Sequence, residues 1–232
     1  MELFAMRILF IRHGNPNYEL DCLTDLGHEQ AAAAAARLEG EGIQRIYSSS
    51  CGRAQETAEH TARALGLEVT TCDFIREIDW YPLDRSLPSV EGNPWLYCER
   101  LVREGKTLCD PDWRQEEFFA STETPTSFDK VAKGIDAWLA TLGFEREGAY
   151  YRKREEKCAT VAMFCHGGAF ACAFAHMFNL PLPFVFTAIP FGQTGVIEVE
   201  LGGVTGGLCT PRLGVGFQMK HLTQNGITVT GF

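Results

Sequence analysis

Short apolar runs that stop at polar, glycine-bearing loops recur along this chain, and most are followed by a helical pattern. Residues 8–11 form the first run, which ends at Arg12-His13-Gly14 and reads as a buried strand running into a loop. Thr24 stands where a helix cap belongs, ahead of an alanine-rich stretch over 31–38 that should stop near Gly40 or Gly42. Residues 43–47 predict a second strand, 48–52 a turn, 53–65 a helix ended by Gly66, and 67–71 a third strand. This alternation predicts a parallel sheet with helices on both faces.

The middle of the chain breaks the rhythm. Residues 81–125 hold Pro82, Pro88, Pro94, Pro111 and Pro125 together with Trp95, Tyr97, Trp113, Phe118 and Phe119. Breakers mixed with aromatics predict an insertion of short helices packed on the main body. Helical periodicity returns over 128–142, where Val131, Ile135, Trp138, Leu139 and Leu142 share a face. A charged connection is expected over 150–157, then a strongly apolar strand over 160–165 that ends at His166-Gly167-Gly168. An apolar helix over 169–178 and an alternating strand over 196–201 follow, and the tail from Gly202 is glycine-rich and weakly strand-like. Met6 is an alternative start. The expectation is a single domain over 1–232, a three-layer α/β/α sandwich with a mostly parallel sheet and an α-helical insertion at about 81–125.

Composition narrows the partners. The formal net charge is −9, and a diffuse acidic surface disfavours nucleic acid and anionic membrane. A small anionic substrate stays compatible, because a few arginines can dominate a cleft. Nine cysteines without a C-x-x-C pair suggest reduced, packed thiols and a cytoplasmic location. No signal peptide is read at the N-terminus, and no apolar run approaches the roughly 20 residues of a membrane helix.

Candidate chemistry lies at two strand ends. His13 and His166 each follow an apolar strand and precede a glycine. Ligands of open parallel sheets bind beyond the carboxyl ends of the strands, so both histidines fall on the functional edge. Glycine after each is expected to let the backbone turn sharply and approach a ligand. Arg53 opens a helix, and a guanidinium at a helix N-terminus makes an anion site. Glu77 sits just past the third strand. The other histidines, His28, His60, His176 and His221, are expected to be structural or solvated, and none has metal-ligand spacing.

Five segments together resemble the histidine phosphatase superfamily, which has the phosphoglycerate mutase-like fold. They are Arg12-His13-Gly14, the stretch from Leu23-Thr24 to Gln30-Ala31, Tyr47-Ser48-Ser49 with Arg53-Ala54 and Thr57-Ala58, Ile75-Arg76-Glu77, and His166-Gly167. The resemblance implies a cofactor- and metal-independent phosphoric monoester hydrolase of the acid or neutral type. His13 would attack phosphorus. Arg12, Arg53, His166 and Gly167 would hold the phosphoryl oxygens, and Glu77 would serve as acid and then base, with Asp79 the alternative.

After His13 this chain reads Asn15-Pro16-Asn17-Tyr18-Glu19, which departs from the mutase pattern, and Glu19 stands where the family often has an asparagine. Asn17 or Tyr18 is left to take that place. Asn15, Gln193 and Thr194 are further candidate substrate contacts. The implied function is hydrolysis of a small phosphorylated metabolite. The alternatives are a phosphoglycerate mutase-type phosphotransferase and an inactive module that binds phosphorylated ligands.

Overall fold

The computed structural model describes residues 6–86, 92–155, 159–214, 220–228 and 230. Strand β1 (Met6–Arg12) leads into a small ladder of β2 (Pro16–Asn17) and β3 (Cys22–Leu23), then helix α1 (Asp25–Leu38). Strand β4 (Ile43–Ser49), helix α2 (Gly52–Leu65) and strand β5 (Val69–Cys72) complete the first half. Helices α3 (Pro94–Arg103), α4 (Glu117–Ala120) and α5 (Thr124–Thr141) precede the hairpin β6 (Phe144–Glu147) and β7 (Tyr150–Lys153). Then come β8 (Thr160–Cys165), α6 (Gly167–Phe178), α7 (Leu182–Ala188), β9 (Val196–Leu201), β10 (Leu208–Cys209), β11 (Arg212–Leu213) and α8 (Lys220–Gln224).

The central sheet runs β11-β9-β1-β8-β4-β5. Strands β1, β8, β4 and β5 run parallel to one another, whereas β9 pairs antiparallel with β1 and with β11 at one side. Alternate residues of a strand face opposite layers. Ile8 and Phe10 join a core with Ile135 and Leu139 of α5, Phe170 and Phe174 of α6 and Val185 of α7. Leu9 and Ile11 face the other way, onto Leu38 of α1 and Ala58 and Ala62 of α2. Two apolar cores on one sheet make the three-layer α/β/α arrangement. Burying side chains of this size is worth about 1.5–3 kcal/mol each, so both layers are needed to hold β1 and β8 in the middle.

Local signals agree with the elements. Thr24 caps α1 by accepting the Gly27 N–H at 3.1 Å. Gly66 ends α2 in the left-handed conformation, where glycine carries no steric cost. One expectation needs correction and one is extended. Residues 150–153 are a strand of a hairpin and not a connection, because alternate side chains turn inward: Tyr151 donates its hydroxyl to Asp136 at 2.8 Å, and Lys153 donates to the Gly203 carbonyl at 3.1 Å. The glycine-rich tail forms the short strands β10 and β11, then a helix, α8. Pro88 and the end of the expected connection, residues 156–157, lie outside the described residues. Among the described residues no helix is long and apolar enough to cross a membrane.

Candidate active site

Strands β1 and β8 are neighbours in parallel register, with Arg12 opposite Cys165. Both chains therefore leave the sheet at the same level, and the rings of His13 and His166 come to 5.1 Å between centroids. The His13 main-chain N–H donates to the Cys165 carbonyl at 3.0 Å, which ties the two loops together.

The His13 ring is buried, and its Nδ1 lies 2.7 Å from the Gly14 carbonyl oxygen. A carbonyl can only accept, so Nδ1 carries the proton and Nε2 keeps its lone pair. Burial, then the charge of Arg12 and Arg53, pushes the His13 pKa down to about 3. His13 is thus neutral with a defined nucleophilic nitrogen. His166 Nε2 lies 2.8 Å from Ser49 Oγ, which already accepts the Cys51 N–H. With the Ser49 hydroxyl donating to Nε2, the proton of His166 sits on Nδ1. That Nδ1 is buried without a hydrogen-bond partner among the described residues, a donor in place for an anion. Burial, then the neighbouring His13 and the arginines, hold the His166 pKa well below its usual value.

Arg53 is buried at the start of α2, held by Asp21. The Asp21 carboxylate also accepts the Gly52 N–H at 2.8 Å and so caps α2 from outside the helix. Burial raises the Asp21 pKa, but this N–H and the Arg53 charge outweigh it and hold the group below its usual value. The Asp21 side chain is 42% exposed, so the ion pair is worth about 1 kcal/mol or less and leaves Arg53 able to take a second anion. Arg12 donates to the Phe191 carbonyl at 2.6 Å, which fixes its guanidinium between the β1 end and the start of α6.

Glu77 reaches the same place from the loop after β5. Its Oε1 accepts the N–H groups of Ile78 and Ala169, both at 3.0 Å. Gly168 makes room for this contact: a Cβ there would stand 2.6 Å from Ile78 Cγ1 and 2.8 Å from Glu77 Oε1. Burial raises the Glu77 pKa against the pull of those N–H groups and of Arg12 and Arg53. Burial thus favours the protonated carboxyl of Glu77 at the start of α6.

The glycines after the histidines serve close packing without a left-handed backbone. Neither Gly14 nor Gly167 takes a positive φ. Gly14 is needed because a Cβ would meet the Gly27 carbonyl oxygen at 2.6 Å, so it lets α1 pack tightly on the His13 loop.

The remaining candidates are drawn into structure. Asn15 Oδ1 accepts the Thr24 hydroxyl at 2.8 Å, and Asn15 Nδ2 donates to Gln193 at 3.3 Å. Asn17 Oδ1 accepts the N–H groups of Glu19 and Leu20, an Asx turn. Gln193 is also bound by the Thr230 hydroxyl, and the buried Thr194 hydroxyl pairs with His221 Nε2 at 3.1 Å. Tyr18 is exposed and stacks on the Arg53 guanidinium, 5.4 Å from the ring centroid. Sequence reasoning missed two positioning residues. Ser49 was inside a recognised segment but had no assigned role, and Asp21 was a lone acid in a polar loop with no signal of its own.

These protonation states predict acid lability. His13 and His221 have pKa values pushed down by burial to about 3 and about 4, and His166 is lower than usual for the same first reason. An unfolded histidine titrates near 6.5, so between about 6.5 and 4 the unfolded chain takes up as many as three more protons at these positions. Glu77, with its raised value, opposes by one. A net difference of two protons makes stability fall with falling pH by about 2.7 kcal/mol per pH unit. Thermal unfolding in phosphate-free buffer checks this; an unchanged Tm from pH 6.5 to 4.5 would contradict the neutral buried histidines.

Comparison with known proteins yields a consistent picture. The histidine phosphatase superfamily (branch 1) matches residues 8–208. A probable phosphoglycerate mutase, GpmB, of Yersinia pestis (strain Pestoides F) is 31% identical over 100 residues, which cover 37% of this chain and 46% of that protein. The chain thus spans about half the length of the curated relatives it matches. A mycobacterial glucosyl-3-phosphoglycerate phosphatase superposes with a TM-score of 0.62 at 22% identity, covering 91% of this chain and 98% of that one. A phosphoserine phosphatase from Entamoeba histolytica, solved with 3-phosphoglyceric acid, gives 0.60 at 21% identity, with 94% and 99% covered. At these identities the structural likeness establishes the fold.

Proposed function

The chain belongs to the histidine phosphatase superfamily, and from that membership we propose that it hydrolyses a small phosphorylated metabolite through a phosphohistidine on His13. The observation that carries this reading is the tautomer of His13: the Nδ1–H bond to the Gly14 carbonyl leaves Nε2 as a free nucleophile beside two arginines.

In the first step Nε2 attacks phosphorus in line and the P–O bond to the alcohol breaks. Glu77 gives its proton to the departing oxygen. Arg12, Arg53 and His166 Nδ1–H take up the charge of the equatorial oxygens, a preorganised electrostatic contribution. In the second step the Glu77 carboxylate removes a proton from water, the water oxygen attacks phosphorus, and the P–N bond breaks to restore neutral His13. The raised pKa of Glu77 suits both halves, because the group must hold a proton first and take one afterwards.

The test is a metabolite phosphatase screen in EDTA, with His13→Ala as the control. Phosphate release from at least one small ester by wild type and none by the variant is the expected result. Release that survives unchanged in the variant would remove the reading. Phosphate or vanadate should also bind between the two histidine loops. Losing a charge-assisted bond of about 1.5–3 kcal/mol predicts roughly 10- to 100-fold weaker anion binding in Arg53→Ala, measurable by calorimetry.

A further inference from the structure

A cavity of about 420 Å³ opens beside the phosphoryl cradle, sharing Arg12 and Gly167 with it. The volume falls in the range of small-molecule sites. Its walls come from α3, the start of α6, and α7 with the turn that follows. Trp95, Leu96, Phe186 and Phe191 supply much of the surface. The position is set by contact: Trp95 Cζ2 lies 3.4 Å from where a Gly167 Cβ would stand, and Arg12 Cζ lies 3.6 Å from the same point. Phe186 packs edge-on against Trp95 at 4.8 Å between centroids, and Trp80 does so from another side at 5.8 Å. The aromatic wall is therefore built and braced, not a loose surface patch.

The charge pattern of the wall is selective. Among the described residues that line it, Arg12 and Glu99 are the ionisable ones. Arg12 belongs to the phosphoryl cradle. Glu99 is exposed and lies 3.8 Å from Arg103 on the next turn of α3, so beyond Arg12 the wall offers a substrate carboxylate no counter-ion. Phosphoserine and 3-phosphoglycerate both carry such a carboxylate. An alkyl or aryl group would pack against Trp95, Leu96, Val185, Phe186 and Phe191, with Asn93 and Thr187 as the uncharged polar side chains of the wall.

We propose that this cavity is the alcohol subsite and that the chain selects phosphomonoesters of apolar, uncharged alcohols over carboxylate-bearing ones. The proposal rests on the phosphatase reading above and adds the substrate class to it. Apolar contact made in the cavity is retained while the P–O bond breaks, so it raises kcat/KM with the area buried.

The test measures kcat/KM for butyl, hexyl and 2-phenylethyl phosphate, for O-phosphoserine and 3-phosphoglycerate, and for p-nitrophenyl phosphate as a general reporter. Wild type should gain about fourfold per added methylene from butyl to hexyl, the scale of burying one CH₂ group. It should prefer 2-phenylethyl phosphate to 3-phosphoglycerate by about tenfold or more. Glu99→Lys and Leu96→Lys, both at exposed positions, should shift that preference toward 3-phosphoglycerate by about tenfold. A flat alkyl series, a wild-type preference for the carboxylated esters, or a ratio unmoved in both variants overturns the subsite while leaving the phosphatase reading intact. Hydrolysis of none of the esters, p-nitrophenyl phosphate included, brings down both. Fast conversion of 3-phosphoglycerate to its 2-isomer without phosphate release does the same in favour of a mutase.

Discussion

Alanine in place of His13 is expected to lower turnover by about 10⁴- to 10⁶-fold, the scale seen when a covalent nucleophile is deleted from a site that otherwise stays whole. The loss should fall on kcat with phosphate binding largely kept, because Arg12, Arg53 and His166 do not depend on the His13 ring for their positions. Arg12 is anchored on the Phe191 carbonyl, Arg53 on Asp21, and His166 on Ser49. Rapid acid-free quench of wild type with labelled substrate should trap a phosphoramidate, stable in base and lost in acid. His13→Ala should yield none. An adduct of unchanged size in the variant would move the nucleophile to another residue.

Glu77→Gln carries the second largest effect. The amide can still offer an oxygen to the Ile78 and Ala169 N–H groups, so the loop after β5 should keep its place. What is lost is the proton. Alkyl phosphates should slow by about 10²-fold or more, and p-nitrophenyl phosphate by much less, since that phenolate departs without protonation. The pH dependence follows from the same pair. The reactive form has neutral His13 and protonated Glu77. His13 becomes protonated only near pH 3, whereas burial keeps the Glu77 carboxyl protonated above its usual range. For alkyl esters kcat/KM should therefore fall as pH rises through the Glu77 value. That alkaline limb should be absent in Glu77→Gln. Equal losses on both ester types, or an alkaline limb that persists in the variant, would assign the acid elsewhere. Asp79 is the less suited alternative, because its carboxylate already accepts from the Tyr81 N–H at 3.1 Å and from Arg85 at 3.2 Å.

The elements that carry the site were legible because each has a local cause. An apolar run such as 160–165 has nowhere to go but the middle of a sheet, and Thr24 and Gly66 mark helix ends through bonds and backbone angles that involve only their own neighbourhood. The hairpin of β6 and β7 was hidden for the opposite reason. Tyr151 and Lys153 sit among charged residues, and their inward orientation depends on Asp136 and on the Gly203 carbonyl, 15 and 50 positions away.

The same division runs through the site. Sequence by itself determined which groups stand at strand and helix ends: His13, His166, Arg12 and Arg53 follow from short motifs, since a strand must stop where its apolar run stops. Only the tertiary structure decided which of the polar candidates are free to act. Asn17 Oδ1 is engaged by the N–H groups of a turn and the Thr194 hydroxyl by His221, whereas the unassigned Asp21 and Ser49 hold Arg53 and His166 in place. The tautomer of His13 and the raised pKa of Glu77 were also beyond the sequence. Both arise from burial and from partners brought close by the parallel register of β1 and β8. Desolvation and hydrogen bonding depend on distance in space, and that is set only when strands far apart in sequence, β1 and β8, lie side by side.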